Sequence, residues 1–297
     1  MSNKRIISIN KPEIFNFKHC LTYLDRNENE CLHQVKQGNL VKSTRIDETP
    51  VVLKICSSGE KLEVEILYEE KFIEEKEIRC YISELFDLNA DLASFYQQVK
   101  GDQTLHSLAN NFYGLRLVGI PALFEAICWA IIGQQINLNF AYQLKRNLVE
   151  NFGEKKKLNG VDYYFFPVPG DLKSVTVSDL KELKFSRQKA EYIFEIAQLI
   201  SEGKISKEFL ERKENLKAVI DELTKIKGIG NWTANYVALK CLRIPSAFPI
   251  EDVGLHNALK NLHRLKEKPD IKKIKQLAKH WKGWEGYAVT YLCHSLL

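Results

Sequence analysis

No apolar run in this chain approaches the ~18 residues that a membrane-spanning helix needs. The longest, from Pro121 to Ile132, is interrupted by Glu125. The start, MSNKRIISINKPEIF, lacks an apolar core followed by a small-residue cleavage site, so secretion is not expected and the chain is read as cytoplasmic, with no membrane partner. CxxC pairs are absent as well. The seven cysteines (Cys20, Cys31, Cys56, Cys80, Cys128, Cys241 and Cys293) are odd in number, and some lie in apolar stretches. Reduced thiols are therefore favoured over disulfides or a metal site. There is no convincing internal repeat and no low-complexity segment. What remains is an ordinary folded composition, 45% hydrophobic and 27% charged over 297 residues, enough for about two domains.

Net charge is small, +5, but the charge is unevenly spread. Residues 181–290 hold 22 Lys and Arg against 14 Asp and Glu, a net of +8, and the remainder holds 21 against 24, a net of −3. A basic C-terminal third suits a polyanionic partner. A solvated lysine-rich helical face explains the same numbers, so charge alone leaves both readings open.

Hydrophobic periodicity divides the chain. VVLKIC and KLEVEIL flank Ser57-Ser58-Gly59-Glu60, and Leu62, Val64 and Ile66 alternate with charged residues, which predicts a β-hairpin over Val51–Tyr68. From about Phe86 the pattern is helical to the end. Pro121 opens a helix with Phe124, Ile127, Cys128 and Ile131 on one face, running to Gly133-Gln134-Gln135. Further helices are expected near 136–151, 178–184, 188–202, 215–224, 253–264, 270–281 and 284–296.

The most informative stretch is LKAVIDELTKIKGIGNWTANYVALKCLR, Leu216 to Arg243. Leu216, Val219, Ile220 and Leu223 form one helical apolar face, and Ala234, Val237, Ala238 and Cys241 form another. Between them, Lys227-Gly228-Ile229-Gly230 permits a tight turn with positive φ, with Ile229 plugging between the helices. Such a turn presents backbone N–H groups beside a helix N-terminus, a geometry that suits a phosphate oxygen. A bare glycine turn would be an ordinary helical hairpin. Two amphipathic helices, the preceding lysine and the basic surroundings favour DNA.

Downstream comes FPIEDVGL, where Pro249 stops one element and a helix begins near Asp252. A carboxylate there is stabilised in its charged form by free N–H groups. Simple capping is the commoner use of such an aspartate. Catalysis becomes credible because Asp252 follows Gly230 by only 22 residues. A phosphate anchor and an ionised acid then face the same nucleotide.

These segments resemble the helix-hairpin-helix DNA glycosylase superfamily, and most closely its 3-methyladenine DNA glycosylase II branch. KGIGNWTANYVAL, FPIEDVGL and HWKGWEGYA carry the likeness, with GLRLVGIPALFEAICWAIIGQQI, FDLNADLASFY and LKFSRQKAEYI. The resemblance implies an α+β fold. An N-terminal antiparallel-sheet α/β domain (residues 1–98) precedes two all-helical domains, one of 119–243 with the hairpin and one of 99–118 plus 244–297, with the active-site cleft between them. It implies that Asp252 is the catalytic carboxylate, with Glu251 secondary, and that double-stranded DNA with alkylated bases is bound by a monomer without a cofactor. The flipped base would lie among Trp232, Tyr236, Trp284 and, less directly, Tyr23. Aromatic faces attract a cationic base by about 0.5–2 kcal/mol per contact. Core packing is the alternative for each ring. The loop after Pro121's helix would enter the minor groove, with Gln135 as the wedge and Gln134 and Ile136 as its neighbours. Lys227, Gly228, Gly230 and Thr233 would meet a phosphate, and carbonyls of Thr224, Ile226 and Ile229 a structural monovalent cation. No catalytic metal is implied. The family often has a basic residue after the position of Trp284, where this chain has Glu285.

Two rivals stand beside this reading. A bifunctional glycosylase/lyase uses a lysine amine for a Schiff base, and lyase branches carry it early in the hairpin's second helix. Here that region is Asn231-Trp232-Thr233, with Lys227 before it and Lys240 beyond. Iron–sulfur branches need four closely spaced C-terminal cysteines, and only Cys293 lies there. The other rival is a catalytically silent DNA-binding module, against which Asp252 and the aromatics argue.

Overall fold

Short strands, most of them joined by two-residue turns, build the first part of the molecule. A computed structural model describes residues 5–297; residues 1–4, which the reading of the N-terminus included, lie outside the described residues. Strands β1 (Ile6–Asn10), β2 (His33–Lys36), β3 (Asn39–Ile46), β4 (Thr49–Ser58) and β5 (Lys61–Glu69) form an antiparallel sheet of order β1-β5-β4-β3-β2. The expected hairpin is β4–β5. Ser58 pairs with Lys61 across Gly59-Glu60, and Gly59 takes φ +50. Strands β1, β2 and β3 are additional to the sequence reading. HQVK in β2 and NLVKSTRI in β3 carry too few apolar residues for a pattern, and pairing along β4 makes β3 a strand.

Ile7, Ile55 and Val64 stand opposite one another across three strands, and face the helices Phe17–Leu24 and Glu75–Leu85. Phe17, Leu21, Ile78 and Ile82 complete this core. A second, larger core gathers the helices after residue 92. At its centre lies the helix Leu123–Gly133, buried on every side from Leu123 to Ile132. A helix apolar all round belongs inside a bundle. It packs on Asn231–Lys240, on Arg187–Ser201 and on Leu138–Phe152.

The helical expectations hold with shifts of a residue or two, and with three differences. Pro121 does not open its helix, because Ala122 is the cap and Leu123 the first helical residue. The helix expected over 270–281 ends at Leu277 and tightens into a 3-10 turn, Ala278–Trp281. The helical run is also broken once, by a ribbon of Lys155–Leu158 and Val161–Tyr164. Asn159 and Gly160, with φ 48 and 83, make the turn that Asn-Gly favours between two strands. That dipeptide was the overlooked signal. No helix among the described residues is long and apolar enough to cross a membrane.

The sheet is tied to the bundle by buried charges. Lys145 on Leu138–Phe152 lies 3.0 Å from Glu30 and 3.4 Å from Glu125. The Lys145 ammonium holds Glu30 well below the usual carboxylate range, against a burial that alone would raise it.

Candidate active site

Asn215 caps the first hairpin helix, Leu216–Leu223, and Val219 and Leu223 bury its inner face. The second helix, Asn231–Lys240, starts at Gly230 without a side-chain cap. Its first intrahelical bond runs from the Ala234 N–H to the Gly230 carbonyl, 2.9 Å. The N–H groups of Asn231, Trp232 and Thr233 come before it, as the opening turn of a helix requires. Gly228 takes φ +89, and a Cβ there would lie 2.3 Å from the Tyr192 ring. At Gly230 a Cβ would meet nothing within 4 Å, so the space before the helix is open. Ile229 is buried between the helices, and Lys227 is exposed. The Thr233 side chain departs from the phosphate reading. It is buried and its hydroxyl accepts from Gln134 Nε2 at 3.0 Å. Of the three carbonyls expected around a cation, that of Ile226 already accepts the Ile229 N–H at 3.1 Å. Among the described residues, no group of three or more His, Cys, Asp and Glu is placed to hold a metal.

Asp252 caps the helix Val253–Leu262, so the capping role and the site coincide. Its Oδ1 accepts from Gly254 N at 2.8 Å and Leu255 N at 3.2 Å. Its Oδ2 accepts from the indole Nε1 of Trp232 at 3.2 Å. The Cys293 thiol, 3.8 Å from Oδ1, donates to the same carboxylate. Burial, and then the adjacent Asp252, push that thiol far above its ordinary value, so it stays protonated. A Cβ on Gly254 would meet both Cys293 Sγ and Asp252 Oδ1 at 3.0 Å. Neither Cys293 nor Gly254 was found from sequence, since a thiol 41 residues away in an apolar helix gives no local sign of its target. Glu251 is exposed and accepts from Asn231 Nδ2 at 3.3 Å. Asn235 was also missed. It is buried, and its Oδ1 accepts from Phe248 N at 2.9 Å, tying the approach to Asp252 onto the hairpin.

Trp232 and Tyr236 stand 5.4 Å apart, centroid to centroid, at 33°. Tyr236 Oη accepts from Trp129 Nε1 at 2.9 Å. Tyr23 and Tyr236 line one cavity with Arg26, Trp129 and Tyr142. The Arg26 guanidinium lies 3.9 Å over the Tyr23 ring, and Lys240 Nζ lies 4.5 Å from the same ring. Burial alone would raise the Tyr23 phenol, but Arg26 and Lys240 hold it below its usual value. Trp284 is not in ring contact with this group. Its ring partners are Phe95 at 5.7 Å and Tyr287 at 5.3 Å.

The three loop residues separate. Gln134 turns inward onto the Gly228 carbonyl at 2.9 Å and onto Thr233, so it does not serve as a wedge in this arrangement. Ile136 is half-buried against the bundle core. Gln135 is exposed, with φ +57.

Residues 128–283 match the model of the HhH-GPD superfamily base excision DNA repair protein, and residues 6–127 that of the 8-oxoguanine DNA glycosylase N-terminal domain. The chain is 43% identical over 291 residues to the DNA-3-methyladenine glycosylase of Bacillus subtilis (strain 168), covering 97% of this chain and 96% of that protein. It is 27% identical over 214 residues to DNA-3-methyladenine glycosylase 2 of Escherichia coli (strain K12), covering 72% of this chain and 70% of that protein. Among solved structures, 3-methyladenine DNA-glycosylase from Archaeoglobus fulgidus superposes with a TM-score of 0.81 at 27% identity, over 97% of each chain. A hairpin with an open N-terminal turn, an indole-bound aspartate 22 residues beyond it and these likenesses converge: the chain belongs to the DNA-3-methyladenine glycosylase family, within the HhH-GPD superfamily of base excision DNA repair proteins.

Proposed function

We propose that this chain is a monofunctional DNA glycosylase that flips alkylated bases out of double-stranded DNA and hydrolyses their N-glycosidic bonds, leaving an abasic site. The observation that carries the reading is the Asp252 carboxylate, fixed by two backbone N–H groups and the hairpin's own indole. As the bond between C1′ and the base nitrogen breaks, its electrons leave with the base and positive charge grows on the sugar. A nearby carboxylate stabilises that charge electrostatically, and water then bonds to C1′ and gives up a proton. A base that is already cationic, such as 3-methyladenine, leaves without strong acid catalysis. Its target must first leave the helical stack. Gln135 fills the gap as the wedge, and the turn Lys227–Gly230 holds a phosphate on the 3′ side. Trp232, Tyr236 and Tyr23 supply the base's surroundings, and Trp284, which packs on Phe95 and Tyr287, is kept as a further candidate for them.

Monofunctional action is supported by the two candidate amines. Lys240 Nζ is engaged on the Val118 carbonyl and the Tyr23 ring, and Lys227 lies exposed in the turn. We keep an N-terminal domain of 1–98 with 119–243 and 99–118 plus 244–297 as the helical part; the separate core of the sheet supports the first division, although Leu92 and Phe95 pack into the helical core. We place the protein as a monomer in the cytoplasm, on the nucleoid if the cell is bacterial. The test is chromatography of free base after incubation with methylated duplex DNA, before and after alkali. Released 3-methyladenine with an intact strand supports the reading, and no released base overturns it. The match of residues 6–127 to an 8-oxoguanine glycosylase domain favours a second reading, an oxidised-purine enzyme. A duplex carrying 8-oxoguanine in the same assay separates the two.

A further inference from the structure

Two side chains fix the wedge loop, one to the phosphate hairpin and one to the helix Arg187–Ser201, and neither takes part in the chemistry described above. Gln134 Nε2 donates to the Gly228 carbonyl at 2.9 Å and to the Thr233 hydroxyl at 3.0 Å. Lys189, on the helix Arg187–Ser201, donates from Nζ to the carbonyls of Ile132 and of Gln134, the latter at 2.8 Å. A helix C-terminus leaves carbonyls unpaired, and a cation there both completes them and meets the negative end of the helix dipole. One turn along the same helix, the Tyr192 ring occupies the space beneath Gly228. A single helix thus braces the end of Leu123–Gly133 on one side and the glycine turn on the other. Between the two braces stands Gln135 at φ +57, a backbone conformation uncommon for a residue with a side chain. A loop held at one end only would relax from it.

We propose that Gln134 and Lys189 are positioning residues that keep Gln135 preformed for insertion and fix its distance from the phosphate anchor, so that gripping the backbone and displacing the base occur as one step. The proposal rests on the reading of Gln135 as the wedge. Preforming the loop means that less ordering has to accompany DNA binding. Burial pushes the Lys189 ammonium down to about 8, so the fold bears a desolvation cost to keep an amine there.

The test uses the full chain and a duplex in which 2-aminopurine adjoins a tetrahydrofuran abasic site, which cannot be cleaved. Fluorescence at saturating protein then reports insertion, separately from bond breaking. Gln134→Ala and Lys189→Met are expected to lower the unstacking equilibrium about five-fold for each hydrogen bond removed, with melting temperature and affinity for undamaged duplex near wild type. Lys189→Arg is expected to restore unstacking, because a guanidinium reaches the same carbonyls. Wild-type unstacking in both clamp variants, alongside its loss in Gln135→Ala, overturns the clamp and leaves the wedge standing. Normal unstacking in Gln135→Ala overturns the wedge reading and the proposal with it. An equal loss of undamaged-duplex binding overturns the positioning role in favour of a structural one. If Lys189→Met does not fold, Gln134→Ala with the same readouts decides.

Discussion

Trp232 Nε1 donates to Asp252 Oδ2 across 3.2 Å, linking the first turn of one helix to the cap of another. The indole stands in the opening turn of the hairpin's second helix and spends its only donor on the acid. Hairpin and carboxylate are thereby locked into one unit, and the acid's other oxygen is already engaged by Gly254 and Leu255.

Asp252→Asn is expected to reduce base release by on the order of 10²-fold or more, because the lost charge acts on the transition state. Binding to lesion DNA is expected to persist. Asn still accepts from the two N–H groups as a good cap, so the melting temperature should stay near wild type. Single-turnover base release beside a binding isotherm checks this, and near wild-type release would remove Asp252 from the chemistry.

Trp232→Phe keeps a ring and removes the donor. Base release is expected to fall several-fold, in line with the ~1 kcal/mol that one hydrogen bond contributes, with DNA affinity changed far less. If kcat is unaltered, the indole serves base stacking alone.

The hairpin is tested at both glycines. Gly230→Asp puts a carboxylate into the open space before the second helix, and affinity for all duplexes, damaged or not, is expected to drop and to lose part of its salt dependence. Weakening confined to lesion DNA would assign the turn to base recognition. Gly228→Ala is expected to cost about 1–3 kcal/mol of folding stability through the clash with Tyr192, read by denaturant unfolding.

Borohydride added during turnover is expected to trap no protein–DNA adduct at the rate of base release. An adduct forming that fast, and abolished by Lys227→Ala or Lys240→Ala, would show a lyase nucleophile. Slow trapping alone reflects stray amines reacting with the abasic aldehyde.

Stability is expected to fall as pH drops from 6.5 towards about 4. Burial lowers both His33 and His294 to about 4 from an unfolded value of 6.5. In that window the unfolded chain binds protons that the folded chain does not, so acid favours unfolding. Above 6.5 both states are neutral at these positions and the effect vanishes. The melting temperature should decline across the window, less steeply in a His33→Gln variant. An unchanged slope in that variant would show that His33 is not held neutral.

Local order determined what was legible in the sequence. The β4–β5 turn, the hairpin with Ile229 as its plug and the cap at Asp252 each depend on residues within a few positions, so periodicity and glycine placement sufficed to read them. The Lys155–Tyr164 ribbon was equally local, and its Asn-Gly turn went unread. Contacts across the chain were not legible. Nothing near Cys293 announces that its thiol reaches Asp252, and nothing near Gln134 shows that its amide turns to Gly228 and Thr233 while its neighbour Gln135 points outward. Arg26 meets Tyr23 three residues away and Tyr142 through Nε at 2.8 Å, a pairing that exists only because sheet and bundle close on each other. Sequence by itself determined which segments are helices, which turn can face a phosphate and which aspartate follows it, because those depend on backbone conformation and short spacing. Tertiary structure alone decided which of two adjacent glutamines is free, which aromatic rings meet and what holds the acid, because side-chain direction is set by packing between elements far apart in the chain.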